Sequence, residues 1–424
     1  MSLARTATGS VGDFATELLA LRSPQLQDGP QVMESVIMPS GRSVPRTLAE
    51  LWTARQRQGH GLHEISYRAC FKAELPAFFI QWLTKPGDTV LDPFMGRGTT
   101  LLEAALRGRI PWGNDANPLC PMLVAPRLIP PRAAEVHTRL AEIDWSRHEE
   151  PGLDLSMFYH RTTLRALTAL RGHLRRRQES GALDPVDAWI RVIALNRLTG
   201  HSPGFFSVYT LPPNQAVSPE KQRRLNQKRH QTPPERDVAA IIIRKSDRLL
   251  RAVSENDRAL LAQAAEGQPP LEDRLACGPA GSLTHLTDES VDLTVTSPPF
   301  VNVVDYSRDN WLRCWFAGLD ATEIRPRILH TTSLATWSSA MATALAELHR
   351  VTRPGGWVAF EVGEVWGGSL PLDEVIAPLG ETAGLRCEGI AVNTQAFTKT
   401  ANCWGIDNNQ RGTNTNRIVL LRRP

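Results

Sequence analysis

One stretch limits the fold of this chain more than any other: Thr89-Val90-Leu91-Asp92-Pro93-Phe94-Met95-Gly96-Arg97-Gly98-Thr99-Thr100. Gly87-Asp88 form a turn, and Thr89 to Leu91 run β-branched and apolar, so the segment begins as a buried strand. Asp92 falls where that strand ends. Gly96 and Gly98 then allow a tight turn with no Cβ in the way. Leu101-Leu102-Glu103-Ala104-Ala105-Leu106 continues with strong helix formers, and Gly108 closes the helix. Strand, glycine turn and helix N-terminus let a backbone approach a ligand closely, as at the first turn of a doubly wound α/β sheet. About twenty residues on, Pro111-Trp112-Gly113-Asn114-Asp115 puts an acid at the end of a second strand, where a ribose diol is usually held.

A second stretch lies far downstream. Val291-Asp292-Leu293-Thr294-Val295-Thr296 alternates and then turns apolar, a strand pattern that stops at Ser297-Pro298-Pro299-Phe300. Two consecutive prolines donate no ladder hydrogen bond and cannot continue a central strand. They also hold the preceding backbone extended. The result is a rigid corner with free carbonyls, a hydroxyl and an aromatic face. A planar group carrying an exocyclic amine suits it, because the oxygens accept the amine hydrogens and the ring stacks. A strand stopped by prolines, with Phe300 in the core, explains the same residues without a ligand.

Together the two stretches resemble the motifs of the DNA amino-methyltransferases, which use S-adenosylmethionine to methylate an exocyclic nitrogen. Asp92-Pro93-Phe94-x-Gly96-x-Gly98-Thr99 resembles the cofactor motif. Thr296-Ser297-Pro298-Pro299-Phe300 resembles the catalytic motif, in the serine form more usual in N4-cytosine enzymes than in N6-adenine ones. The resemblance covers 62–118 and 272–424. It implies a Rossmann-like methyltransferase sheet with S-adenosylmethionine as cofactor. It implies a cofactor pocket drawn from Tyr67, Phe71, Asp92, Pro93, Phe94, Gly96, Gly98, Thr99, Thr100, Asp115 and Ala116, with Ser66 beside them. Ser297, Pro298, Pro299 and Phe300 are the catalytic residues by the same resemblance. The family commonly shows Gly-Asp after the third strand, with the acid near the adenine amine. This chain has Gly278-Pro279, so adenine recognition passes to a backbone group or to Ser282. Asp305-Tyr306-Ser307-Arg308 resembles a run in related N4-cytosine enzymes and reads equally well as a polar helix start.

The rest of the chain fits around these motifs. At 424 residues it is long enough for two domains and a sizeable core. A net charge of only +4 means that any nucleic-acid surface comes from local patches. Six scattered cysteines without a Cys-x-x-Cys argue against a zinc site or a disulfide framework and fit a reducing, cytoplasmic setting. They also leave no cysteine placed for the covalent route of cytosine-C5 methylation. No apolar run approaches transmembrane length, and residues 1–20 lack a signal-peptide pattern.

Residues 1–61 read as an N-terminal packing extension, with Thr47 as N-cap and Glu50 as N3 of a helix. Tyr67, Phe71, Leu75, Phe78 and Phe79 recur at helical spacing. From 119 to 271 the alternating pattern gives way to helices: Ala133 to Ile143, Leu155 to Gln178 and Val186 to Leu198. Two basic clusters lie there. One holds Arg175, Arg176 and Arg177. The other, 221–248, sets nine cations, among them Arg223, Arg224, Lys228 and Arg229, against three carboxylates. It adjoins a loop with Phe205, Phe206, Tyr209, Asn214 and Gln215, and basic groups beside aromatics and amides suit phosphate contact and base reading. The insert is therefore expected to be the target-recognition region. Beyond it, Leu275-Ala276-Cys277 is a strand, Trp337 to Val351 a helix, Arg353-Pro354-Gly355-Gly356 a turn, Trp357 to Val362 a strand, and Asn416 to Leu421 a closing strand. Asn402 to Thr415 is a polar loop.

The expected molecule is thus a doubly wound α/β catalytic domain, split into 62–118 and 272–424 by a mostly helical insert at 119–271. Its expected activity is methylation of cytosine N4 in a base flipped out of double-stranded DNA, in restriction-modification, with or without a partner endonuclease, or in epigenetic marking, and without a metal. N6-adenine methylation is the nearest alternative, then RNA or protein-glutamine methylation, then an NAD-type oxidoreductase or a non-catalytic DNA-binding module.

Overall fold

The computed structural model describes residues 32–49, 59–67, 71–210, 216–301, 306–366, 368–394 and 415–424. Its strands are β1 (Val32–Ile37), β2 (Ser43–Ala49), β3 (Thr89–Asp92), β4 (Ile110–Asp115), β5 (Leu275–Cys277), β6 (Val291–Thr296), β7 (Thr352–Val362), β8 (Glu364–Val365), β9 (Leu370–Pro371), β10 (Arg386–Thr394) and β11 (Thr415–Arg422). All but β8 and β9 join one sheet in the order β1-β2-β10-β11-β7-β6-β3-β4-β5. From β5 to β7 the pairs are parallel, and β11 runs antiparallel to both β7 and β10. The chain leaves β3 outward to β4 and β5, then comes back to place β6 on the other side of β3. Such a reversal opens a crevice beyond the carboxyl ends of the strands. The fold is doubly wound α/β, as the sequence implies.

Both faces of the central strands are covered, which explains their continuous apolar runs. Helix α1 (Glu74–Leu83) packs Leu75, Phe79 and Ile80 against Val90, Leu293 and Val295. The other face takes a long helix at Leu334–Val351, whose Trp337, Met341 and Leu345 meet Leu91, Val358 and Phe360. The turn after β3 leads into α2 (Thr99–Ala105), and Thr100 Oγ1 donates to Val295 O at 3.0 Å, pinning that helix to β6.

Between β4 and β5 lies a run of helices: α3 (Leu119–Leu128), α4 (Ala133–Glu142), α5 (Arg161–Glu179), α6 (Pro185–Arg197), α7 (Pro219–Arg229), α8 (Val238–Arg251) and α9 (Glu255–Ala265). Trp189, with no exposed surface, centres their core and donates from Nε1 to Ser246 Oγ at 3.0 Å. That core is continuous with Leu101, Leu102 and Ala105 on the back of α2, so the insert rests on the sheet's own helix.

Three expectations are corrected. Thr47 does not cap a helix: it lies within β2, paired with Ala391 of β10, and its hydroxyl is buried without a partner. Sheet pairing has overridden a local capping signature, and Pro45 is tolerated because β10 pairs only from Arg46 onward. The β1–β2 hairpin thus continues the sheet from within the expected extension. Arg353 to Gly356 is a bulge inside β7 rather than a separate turn, with Gly355 at φ 77 and the register against β6 shifted there. The aromatic spacing at 67–79 is helical only from Glu74, since Tyr67 precedes the helix in non-helical chain. Asn214, Gln215, Asp305 and the Asn402 to Asn414 part of the polar loop lie outside the described residues.

Candidate active site at the strand ends

The two motifs meet at the crevice. Asp92, the last residue of β3, accepts a hydrogen bond on Oδ1 from Thr296 Oγ1 of β6 at 2.6 Å, and another from the Phe94 amide at 3.1 Å. Burial drives its carboxyl up to about 7 against those bonds. Gly96 takes φ 50 and donates its amide to Asp115 Oδ2 at 2.9 Å; the Asn117 amide donates to Oδ1 at 2.8 Å. Burial also raises the Asp115 carboxyl above its ordinary value. Gly98 is left-handed at the start of α2, where a Cβ would stand 2.6 Å from Val124.

A cavity of about 330 Å³ opens over these residues. Tyr67, Phe71, Asp92, Pro93, Phe94, Gly96, Thr99, Asp115 and Ala116 line it from the cofactor set, and Ser297 and Pro299 from the catalytic set. Gly98 and Thr100 stand behind it as turn and anchor. Ser282 is exposed and does not line it; the preceding Pro279, Ala280 and Gly281 do. Ser66 donates its amide to Asn196 Oδ1 at 3.0 Å, fastening the Tyr67 segment to α6. Pro298 is buried and Phe300 half-buried against the sheet core, neither on the cavity wall. Trp337 Nε1 donates to Pro299 O at 2.7 Å and holds the corner in place.

Sequence reading missed one group that the fold puts beside Ser297. Glu361 of β7 is buried, hydrogen-bonded to the Ser297 side chain, and accepts from Asn416 Nδ2 of β11 at 2.6 Å. Burial lifts its carboxyl to about 7. A buried acid in the middle of an apolar strand, Val358-Ala359-Phe360-Glu361-Val362, was the signal that could have found it.

The basic groups separate into two kinds. Arg175 and Arg176 pair with Glu149, and Arg177 reaches Asp184 and the fully buried Asp187, which Arg139 also bonds. These arginines hold the insert together. On α7, Arg223 pairs with Asp154, and Arg229 lies 3.9 Å over the Tyr209 ring. Arg224 and Lys228 are exposed and, among the described residues, have no ion-pair partner. Only Gln222 of this helix is buried, so its cations face outward. Phe205 and Phe206 are buried, which corrects their expected place on a base-reading surface.

Fold and site define a doubly wound α/β protein with a ligand cavity at its topological switch point. Residues 31–118, from the β1 hairpin to the end of β4, match the model of a DNA methylase family, N6_N4_Mtase. No curated protein matches the chain. Among solved structures the chain is similar to a candidate DNA modification methylase of Thermus thermophilus, at 21% identity and TM-score 0.22 over 35% of this chain and 51% of that one. The chain thus spans about half the length of that protein. It is also similar to geranyl diphosphate methyltransferase, at 10% identity and TM-score 0.33 over 83% and 86% of the two chains. A third is the rRNA methyltransferase aviRa of Streptomyces viridochromogenes, at 11% identity and TM-score 0.32 over 86% and 90%. Among the described residues no helix is long and apolar enough to cross a membrane.

Proposed function

We propose that the chain is an S-adenosylmethionine-dependent DNA methyltransferase acting on the N4 amine of a flipped-out cytosine. The observation that carries this reading is the shared cavity onto which both the Gly96 turn and the Ser297-Pro298-Pro299 corner open, with Asp92 and Thr296 bonded between them. The cavity suits the cofactor. Asp115 faces it with a carboxylate for a diol, Tyr67 and Phe71 offer aromatic faces to a cation, and the Gly96 turn leaves the floor free of a side chain. S-Adenosylmethionine supplies an electrophilic methyl group.

The chain's own residues handle the amine. Its lone pair is delocalised into the cytosine ring and is a poor nucleophile. Ser297 Oγ accepts one amine hydrogen, which turns the lone pair out of the ring plane and stabilises charge developing on nitrogen, while Pro298, behind the cavity wall, keeps the corner rigid. Ionised Glu361 accepts a hydrogen bond from the Ser297 hydroxyl, which leaves the serine oxygen lone pairs free for the base. After methyl transfer the nitrogen sheds one proton to Ser297 Oγ, while the serine proton passes to Glu361. Phe300 backs the corner from the core. The base must leave its stack to reach the cavity, at about a few kcal/mol, and phosphate contacts from the outward cations of α7 offset part of that. The insert at 119–271 serves as the target-recognition region in this reading, and modification for a partner endonuclease is one setting for it.

Purified protein incubated with S-adenosylmethionine and, in parallel reactions, mixed-sequence duplex DNA and total RNA, followed by nucleoside mass spectrometry, is the test. N4-methylcytosine is expected. N6-methyladenine alone would move the acceptor to adenine, and label confined to RNA would remove DNA as the substrate.

A further inference from the structure

The cavity runs along the strand order β6-β3-β4-β5, from Ser297 past Asp92 and Gly96 to Asp115 and then to Pro279, Ala280 and Gly281 beyond β5. With the acceptor at Ser297 and the ribose at Asp115, the compartment over β5 takes the purine. Asp92 and Asp115 are the acidic residues on the cavity wall; Asp115 adjoins Cys277 of β5, and its two oxygens already accept the Gly96 and Asn117 amides. The charged group there is Arg327. Its side chain is exposed and, among the described residues, has no ion-pair partner; burial and the Asp115 carboxylate raise the nearby Cys277 thiol of β5, and Arg327 acts against them. Its backbone is tied on both sides. Pro326 precedes it, Ile328 packs with Leu119, Cys314 and Ile324, and Leu329 packs on the core under the Leu334–Val351 helix. Gly281 opposite is pressed to that helix, where a Cβ would stand 2.7 Å from Thr343. The compartment is therefore a fixed apolar slot with one cation at its mouth.

A guanidinium donates five hydrogen bonds and accepts none. It serves the acceptor nitrogens of a purine and does nothing for a 6-amino group. We propose that Arg327 reads the purine ring of the cofactor through its acceptor atoms, so that this subsite does not select for the 6-amino group. The inference rests on the cofactor assignment above.

Calorimetric titration with S-adenosylhomocysteine and S-inosylhomocysteine separates the two. Inosine replaces the amine with an oxygen and turns N1 into a donor, but it keeps N3 and N7 as acceptors for the guanidinium. The wild-type protein should bind both nucleosides within about threefold, and Arg327→Ala should weaken each about tenfold. Arg327→Lys should recover part of the loss, and Arg327→Glu should favour the adenosyl compound by about tenfold, since a carboxylate accepts from the amine. Because Arg327 is exposed, unliganded melting temperatures should stay together across the set. Tight adenosyl binding that Arg327→Ala leaves unchanged, or wild-type rejection of the inosyl compound by about a hundredfold, would overturn the role of Arg327 alone. Failure of the wild-type protein to bind either compound would overturn the cofactor assignment itself.

Discussion

In the proposed reaction, Ser297 and Glu361 form the pair on which the chemistry turns. Ser297 faces the cavity, while Glu361 behind it is buried and shared with Asn416. Ser297→Ala removes one acceptor for the amine and is expected to lower turnover by about 10–100-fold with S-adenosylhomocysteine affinity nearly unchanged. Phe300→Ala should lower turnover too, with a drop in melting temperature because its ring packs on the core. Single-turnover rates and calorimetric affinity check both; parallel loss of cofactor binding would count against these roles. Glu361 must be ionised to free the serine oxygen. Its carboxyl titrates at about 7, so the single-turnover rate should rise with pH through that value and level above it. In Glu361→Gln the rise should disappear.

Helix α7 turns its cations outward because of what it lacks. It buries Gln222 alone, whose Nε2 donates to Tyr209 O at 3.0 Å, and Asn226 Nδ2 donates to Met157 O at 2.8 Å. Hydrogen bonds from side-chain amides, rather than apolar packing, hold it, which leaves Arg224, Lys228 and Arg229 outward. Replacing those three by glutamine should weaken duplex binding and lower the slope of log affinity against log salt by about 0.9 for each phosphate no longer neutralised. Arg177→Gln on α5 should act differently. It removes a partner of the buried Asp187, whose carboxyl is held well below the usual range, and should cost about 1–2 kcal/mol of stability with little change in that slope. Fluorescence anisotropy across a salt series, beside thermal melts, tells the two helices apart.

At the scale of the whole molecule, two buried carboxyls at the ends of neighbouring strands set a cost of keeping the site ready. Asp92 and Glu361 both titrate at about 7, above their ordinary 3.8 and 4.5. Between the ordinary and raised values the folded chain holds protons that the unfolded chain has released, so each group destabilises the fold as pH rises toward 7. Glu361→Gln removes one such group. Relative to wild type, the variant should gain on the order of 3 kcal/mol between pH 5 and pH 8, since only the wild type must bury a charge there. Chemical denaturation at the two pH values reads the difference; equal curves at both would show that Glu361 is not strained by burial.

Local chemistry wrote the parts of this protein that depend on neighbours in the chain. The β3–glycine–α2 turn, the proline stop after β6, and the helices at 133–142, 185–197 and 334–351 were legible because periodicity, glycine and proline act over a few residues. The β1–β2 hairpin was not, because Thr47 and Glu50 satisfy a helix signature that pairing with the distant β10 overrides. Likewise Arg175 to Arg177 and α7 carry similar charge in the sequence, and only tertiary packing shows which arginines already have carboxylates. The sequence alone determined which groups the chain offers to the proposed reaction: a cofactor-type turn and a serine-diproline corner. The tertiary structure decided that the two share one cavity, and that Glu361 and Arg327 stand in or behind it, because a parallel sheet makes strand ends neighbours whatever their separation along the chain.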